Sequence, residues 1–148
     1  MNPELYAAMS REMMLACRDM ARLVHTQVAP LCRQSGITVQ QMYVLAELRD
    51  NPRLRVTQVC DRVGMQRTNF ALLSRKMEKQ GLVVREQSPE DRRAFCLVAT
   101  DKGLETLSEV TRRIEGRFGS TLGVNPDEAA DEVLVAVRGL RATMERFG

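Results

Sequence analysis

Ten Lys and Arg residues stand against five Asp and Glu between Arg53 and Arg93, although the 148-residue chain carries a net charge of only +3. A cationic middle flanked by neutral or acidic ends is the charge distribution expected when one region faces a polyanion and the others do something else. Within that middle, Gln66, Arg67, Thr68 and Asn69 follow one another, four side chains that can each donate to a base edge or a phosphate oxygen. Arg75, Lys76 and Lys79 come one and two helical turns later as charges suited to phosphate. Arg92 and Arg93 then sit beside Asp91 in a polar run, where an arginine at the tip of a hairpin could reach a narrow groove of negative potential. Asp91, itself repelled by a polyanion, would serve to pin an arginine rotamer.

Other chemistries find little material. His25 is the only histidine, which removes the usual zinc sets and most Ser-His or Cys-His arrangements. No carboxylate pair has a recognisable spacing and no Gly-rich loop could cradle a phosphate, so neither a catalytic residue, a metal site nor a cofactor is expected, and the chain is not read as an enzyme. Cys17, Cys32, Cys60 and Cys96 are widely spaced without a C-x-x-C pair and read as reduced thiols. Charged residues from Glu4 to Arg22 interrupt the apolar runs of the first thirty positions, so no membrane association is expected and the cytoplasm is the predicted compartment.

The elements that must hold these residues can be read from hydrophobic period. From Glu4 to about Arg33, apolar residues recur at three and four, predicting one long amphipathic helix. Thr38 and Gln41 form a capping box for a second helix with Met42, Leu45 and Leu48 inward. Thr57 is the expected N-cap of a short third helix bearing Val59, Cys60 and Val63, which Gly64 stops. Thr68 to Gln80 repeats the helical period through Phe70, Leu73 and Met77. Two β-prone runs, 82–85 and 94–98, flank the polar stretch that contains Arg92 and Arg93 and predict a hairpin. Thr100 caps a fifth helix with the stripe Leu104, Leu107, Val110, Ile114 and Phe118. Asn125, Pro126, Asp127 and Glu128 open a sixth, with Val133, Leu134, Val137, Leu140, Met144 and Phe147 along it.

Two short helices, a turn, a basic second helix and a basic hairpin, in that order, are what major-groove reading needs: one helix to enter the groove and one to brace it across the backbone. The fold class expected is therefore mainly α with a small β-hairpin wing (α+β), a winged helix-turn-helix lobe joined to N- and C-terminal helices. Those helices carry more apolar face than a chain of this size can cover, which predicts a homodimer.

The run from Gly81-Leu82-Val83-Val84-Arg85 through Ser88-Pro89-Glu90-Asp91-Arg92-Arg93-Ala94 to Thr100-Asp101-Lys102-Gly103 closely resembles the wing signature of the MarR (multiple antibiotic resistance regulator) family. Upstream, residues 37–41 followed by Val44-Leu45 look like that family's second helix. The resemblance implies a single MarR-type unit over 1–148, with dimerisation helices at 1–36 and 101–148 around a DNA-binding lobe at 37–100. It implies a sequence-specific transcription regulator, a repressor on a pseudo-palindromic operator in double-stranded DNA, released by a small aromatic acid or phenolic effector. By that alignment Arg93 is the wing arginine, Asp91 its structural partner, and Gln66, Arg67, Thr68 and Asn69 open the recognition helix, with Arg75, Lys76, Arg92, Thr38 and Gln40 as further DNA contacts. Ser74 and Ala71 depart from the family pattern, which has an apolar residue and a base-contacting hydroxyl there. Arg18, His25, Tyr43 and Arg49 are the effector-binding candidates. The alternative is a thiol switch at Cys17 or Cys32; the family's reactive thiol aligns near Met14, one turn before Cys17.

Overall fold

The computed structural model describes residues 1–123 and 125–148. Its contacts divide into two compact units, 1–111 and 112–148.

In the first unit, α1 (Pro3–Leu23) starts at Asn2, whose side-chain oxygen accepts from the Glu4 and Leu5 amides, with Pro3 in the first turn where its missing N–H costs nothing. The long helix expected from the sequence runs unbroken from Pro3 to Gln34 but changes register within it. Val24–Val28 forms a π turn, in which the Ala29 amide reaches back five residues to the Val24 carbonyl, and α2 (Ala29–Gln34) follows. Pro30 supplies the reason: a proline inside a helix has no amide to give and its ring crowds the carbonyl four residues back, so the register widens by one residue ahead of it.

Gly36 turns the chain with φ 76° into α3 (Val39–Asp50), opened by the expected capping box of Thr38 and Gln41. The sequence reading missed β1 (Leu54–Arg55), and with it the third strand of the sheet. Nor does Thr57 cap α4 (Val56–Val63): the N-cap is Arg55, two residues earlier, whose amide donates to Gln58 Oε1. Gly64 ends it in the left-handed region, φ 70°. After α5 (Arg67–Lys79), β2 (Val83–Gln87) and β3 (Phe95–Ala99) pair antiparallel from Val83 opposite Ala99 to Gln87 opposite Phe95, and β1 joins the other edge of β3.

Val44, Leu45 and Leu48 of α3, Val59 and Cys60 of α4, Phe70 and Met77 of α5, and Leu82, Val83 and Leu97 at the sheet form the buried core. Each large side chain of that set is worth about 1.5–3 kcal/mol of burial. α6 (Asp101–Thr121) docks onto it at Gly103, where an added Cβ would collide with the Leu82 carbonyl oxygen and touch Leu45. Thr100 makes the junction: its hydroxyl donates to the Gly81 carbonyl and accepts from the Gly103 amide at 3.1 Å. Leu107 and Val110 of the expected stripe are buried, whereas Leu104 remains 37% exposed.

The second unit holds the end of α6 and α7 (Pro126–Met144). Proline at its start and Asp127 and Glu128 in its first turn suit the helix N-terminus, but Asn125 does not cap with its side chain, which lies 3.4 Å from Glu128 Oε2 instead. No residue of α7 is buried in the single chain, and Val133, Leu134, Val137, Met144 and Phe147 are exposed.

Candidate nucleic-acid interface

The interface is built from α4, α5 and the hairpin that β2 and β3 make. α4 ends in Gly64, and residues 65–66 carry the chain into α5 with Gln66 extended at its N-cap (φ −69°, ψ 144°). Phe70 and Met77 anchor α5 to the core, which leaves Arg67, Thr68, Asn69, Arg75, Lys76 and Lys79 exposed along the outward face. Gln66 is exposed beside them, its side chain making no cap bond.

Ion pairing sorts the ten cations of the middle region. Arg53 pairs with Glu86, Arg55 with Glu90, Arg62 with Glu47, Arg67 with Asp61 and Arg85 with Glu78, at 3.2–3.6 Å. Among the described residues, Arg75, Lys76, Lys79, Arg92 and Arg93 take part in no such pair. Within this region, uncompensated positive charge thus lies on the outer face of α5 and at the tip of the hairpin. Arg67 keeps a solvent-exposed pair, which is weak enough to be exchanged for a better anion.

At the tip, Ser88 donates its amide to the Ala94 carbonyl at 2.9 Å and closes the loop. Asp91 does brace this turn, but not as the sequence suggested. Its Oδ1 accepts from the backbone amide of Arg93 at 2.9 Å and its carbonyl accepts from the Ala94 amide, so the bonds it makes fix the Arg93 backbone rather than its guanidinium. Arg53, just before β1, and Arg55 within it pair with Glu86 and Glu90 of the hairpin.

Thr38 and Gln40 lie at the start of α3, which Gln41 and Gln80 hold against the end of α5. The Thr38 hydroxyl is engaged as a cap, accepting from the Gln41 amide at 3.2 Å. Gln40 lines a separate open groove of about 580 Å³ in the first unit, together with His25, Tyr43, Met20, Val24 and Val39. The groove therefore joins two of the four effector candidates, beside the π turn. Arg18 and Arg49 do not line it: each is bonded to the next residue in sequence, Asp19 and Asp50. The Arg49 contact also holds the Asp50 carboxyl below the usual carboxylate range.

Cys17 is exposed and Cys32 fully buried, 3.7 Å from Met42 Sδ. Desolvation pushes the Cys32 thiol up, partly offset by Arg33. That is the reverse of the low pKa and open access a reactive thiol needs. Cys60 donates to the Met65 carbonyl at 3.1 Å, and Cys96 is buried in β3.

Sequence reasoning passed over two features here. Buried Gln41 reaches across to Gln80 at 2.7 Å, fastening α3 to the end of α5. Leu72 stands 67% exposed among the cations of α5, a position its offset of one residue from the inward Leu73 could have revealed.

Comparison with known proteins agrees with this architecture. The family model described as "MarR family" matches residues 35–94, the span from the α3 cap to the hairpin tip. The transcriptional repressor MdtR of Bacillus subtilis is 24% identical over 99 residues, 67% of this chain and 64% of that protein. The matched stretches span just under two thirds of the first curated relatives' own length. The transcriptional repressor CouR, solved on a 23-mer DNA duplex, is 30% identical over 84% of this chain and 89% of its own, with a TM-score of 0.67. The PcaV regulator of Streptomyces coelicolor, solved with its natural ligand, is 25% identical over 87% and 92% of the two chains, with a TM-score of 0.63. With that three-stranded wing, that order of helices and that coverage of CouR, the chain belongs to the MarR family.

Proposed function

We propose that this protein is a sequence-specific transcription regulator that binds double-stranded DNA as a homodimer and acts as a repressor released by a small phenolic or aromatic effector. The observation that carries the reading is that, of the ten cations between Arg53 and Arg93, the five without an ion pair all lie on the outer face of α5 or at the hairpin tip. A helix so decorated enters a major groove while Arg93 reaches the adjacent minor groove. The similarity to CouR, seen on duplex DNA, supports it. Dimerisation is supported by the exposed apolar residues of α1 and α7, Leu5, Met9, Met20, Leu134, Val137 and Met144 among them, which a second copy would cover.

For the effector, the groove at His25, Gln40 and Tyr43 offers an imidazole, an amide and a phenol among apolar walls and no arginine in its lining. That set suits the hydroxyl of a phenolic ring better than a bare carboxylate, whose best anchor is a bidentate guanidinium. PcaV, solved with a ligand, supports a ligand-responsive reading.

The test is a salt titration of binding to duplexes selected from a random-sequence pool, with sedimentation to read the stoichiometry. Two copies should sit on each duplex, and Arg93→Ala should weaken binding and flatten the dependence on log salt by roughly one unit per lost contact. A parent chain that binds no duplex at low ionic strength, or an Arg93→Ala variant with the parent's slope, would overturn the reading.

A further inference from the structure

Leu72 lies in the middle of α5, 67% exposed, with no role in the core. At 100° per residue, Thr68, Asn69, Arg75, Lys76 and Lys79 all fall within about 60° of it around the helix axis, whereas Phe70 and Met77 fall on the far side. A single exposed leucine on an ordinary surface is unremarkable. This one is the sole large apolar side chain on a face otherwise made of hydrogen-bond donors and unpaired cations.

The charge around Leu72 identifies what covers it. Lysines and an arginine on both flanks draw phosphates to either side, and a helix held between two phosphate rows presents its central residue to the groove floor. The apolar group displayed there is the C5-methyl of thymine; cytosine lacks it, and the purines offer a polar N7. A leucine in that place gains from meeting a methyl and loses from desolvating an acceptor that it cannot satisfy. We infer that Leu72 reads a thymine C5-methyl in the major groove, so that one A·T pair in each half-site is specified by an apolar contact rather than by a hydrogen bond. The inference rests on the DNA-binding reading and deepens it.

The experiment uses the full chain and the tightest duplex that it selects from a random-sequence pool, resynthesised with deoxyuridine replacing thymidine one position at a time. This change removes the methyl and nothing else. For the parent, one symmetry-related pair of positions should weaken binding about fourfold per methyl, the value of one buried carbon. Leu72→Ala should lose that penalty while keeping the parent's salt dependence, and its exposure means that the fold tolerates the change, which circular dichroism checks. If the parent binds every deoxyuridine duplex as tightly as the thymidine one, or if Leu72→Ala retains the penalty, the assignment is overturned. A pool that yields no duplex at all sinks the DNA-binding reading itself, whereas duplexes indifferent to their methyls sink only Leu72.

Discussion

Arg85 on β2 donates through Nη2 to Ser74 Oγ on α5 at 3.1 Å, and Ser74 is fully buried. The same guanidinium places Nε 3.5 Å from Glu78 Oε1, one turn further along α5, while the serine hydroxyl donates to the Ala71 carbonyl at 3.2 Å. The hairpin and the helix that carry the unpaired cations are therefore fastened by one arginine. A polar residue at an inward helical position, anomalous by family pattern, is the acceptor this arginine requires.

Ser74→Ala should test that coupling. The variant removes the acceptor but leaves a cavity of only one oxygen, and Arg85 is exposed enough to regain water, so the expected loss is about 0.5–1.5 kcal/mol. Urea denaturation should show a lower midpoint at unchanged slope. An unaltered midpoint would mean that the contact contributes nothing to folding.

Gly103→Ala should cost more, against helix propensity. Alanine gains about 1 kcal/mol over glycine inside an ordinary helix. Here the added methyl meets the Leu82 carbonyl oxygen and Leu45 Cδ2, and the first of these is backbone that cannot swing aside. Overpacking of this kind costs about 1–3 kcal/mol, so a net destabilisation is expected, with α6 displaced from the 81–82 turn. A variant more stable than the parent in thermal unfolding would show that α6 has room at this point.

The pattern of helices was legible because their signals are local: the Thr38 and Gln41 box, the left-handed stops at Gly36, Gly64 and Gly81, and the inward Phe70 and Met77 all depend on neighbours in sequence. The π turn was hidden because a proline within a strong apolar period can be absorbed by a change of register rather than a break. β1 was hidden because two residues carry no period, and only their pairing with Leu97 and Cys96 across some forty positions defines a strand. At the interface, the sequence supplied the cations but not their partners. Arg53, Arg55 and Arg85 counted as free charge until Glu86, Glu90 and Glu78 came beside them, whereas Arg75, Lys76, Arg92 and Arg93 stayed unpaired. Likewise Arg18 and Arg49 were plausible anchors by type, and only three-dimensional placement separates them from the groove that holds His25 and Tyr43.

The thiols provide a last prediction, in two parts. With Cys17 exposed and the other three cysteines buried, a maleimide should modify Cys17 first and reach Cys32, Cys60 and Cys96 only on unfolding, as mass spectrometry of timed aliquots would show. The second part follows from Cys32, whose pKa burial raises above the ordinary thiol value. A group raised in the folded state stabilises the fold fully below its unfolded pKa, and that contribution disappears as pH climbs through the folded value. The unfolded thiol titrates at about 8.5, so the melting temperature should decline from there upward as solvent-exposed thiolate draws the chain open. Cys32→Val, similar in volume and unable to ionise, should flatten that alkaline decline while changing the stability near neutrality by less than about 1.5 kcal/mol. An identical alkaline profile in parent and variant would show that Cys32 is not the group being titrated.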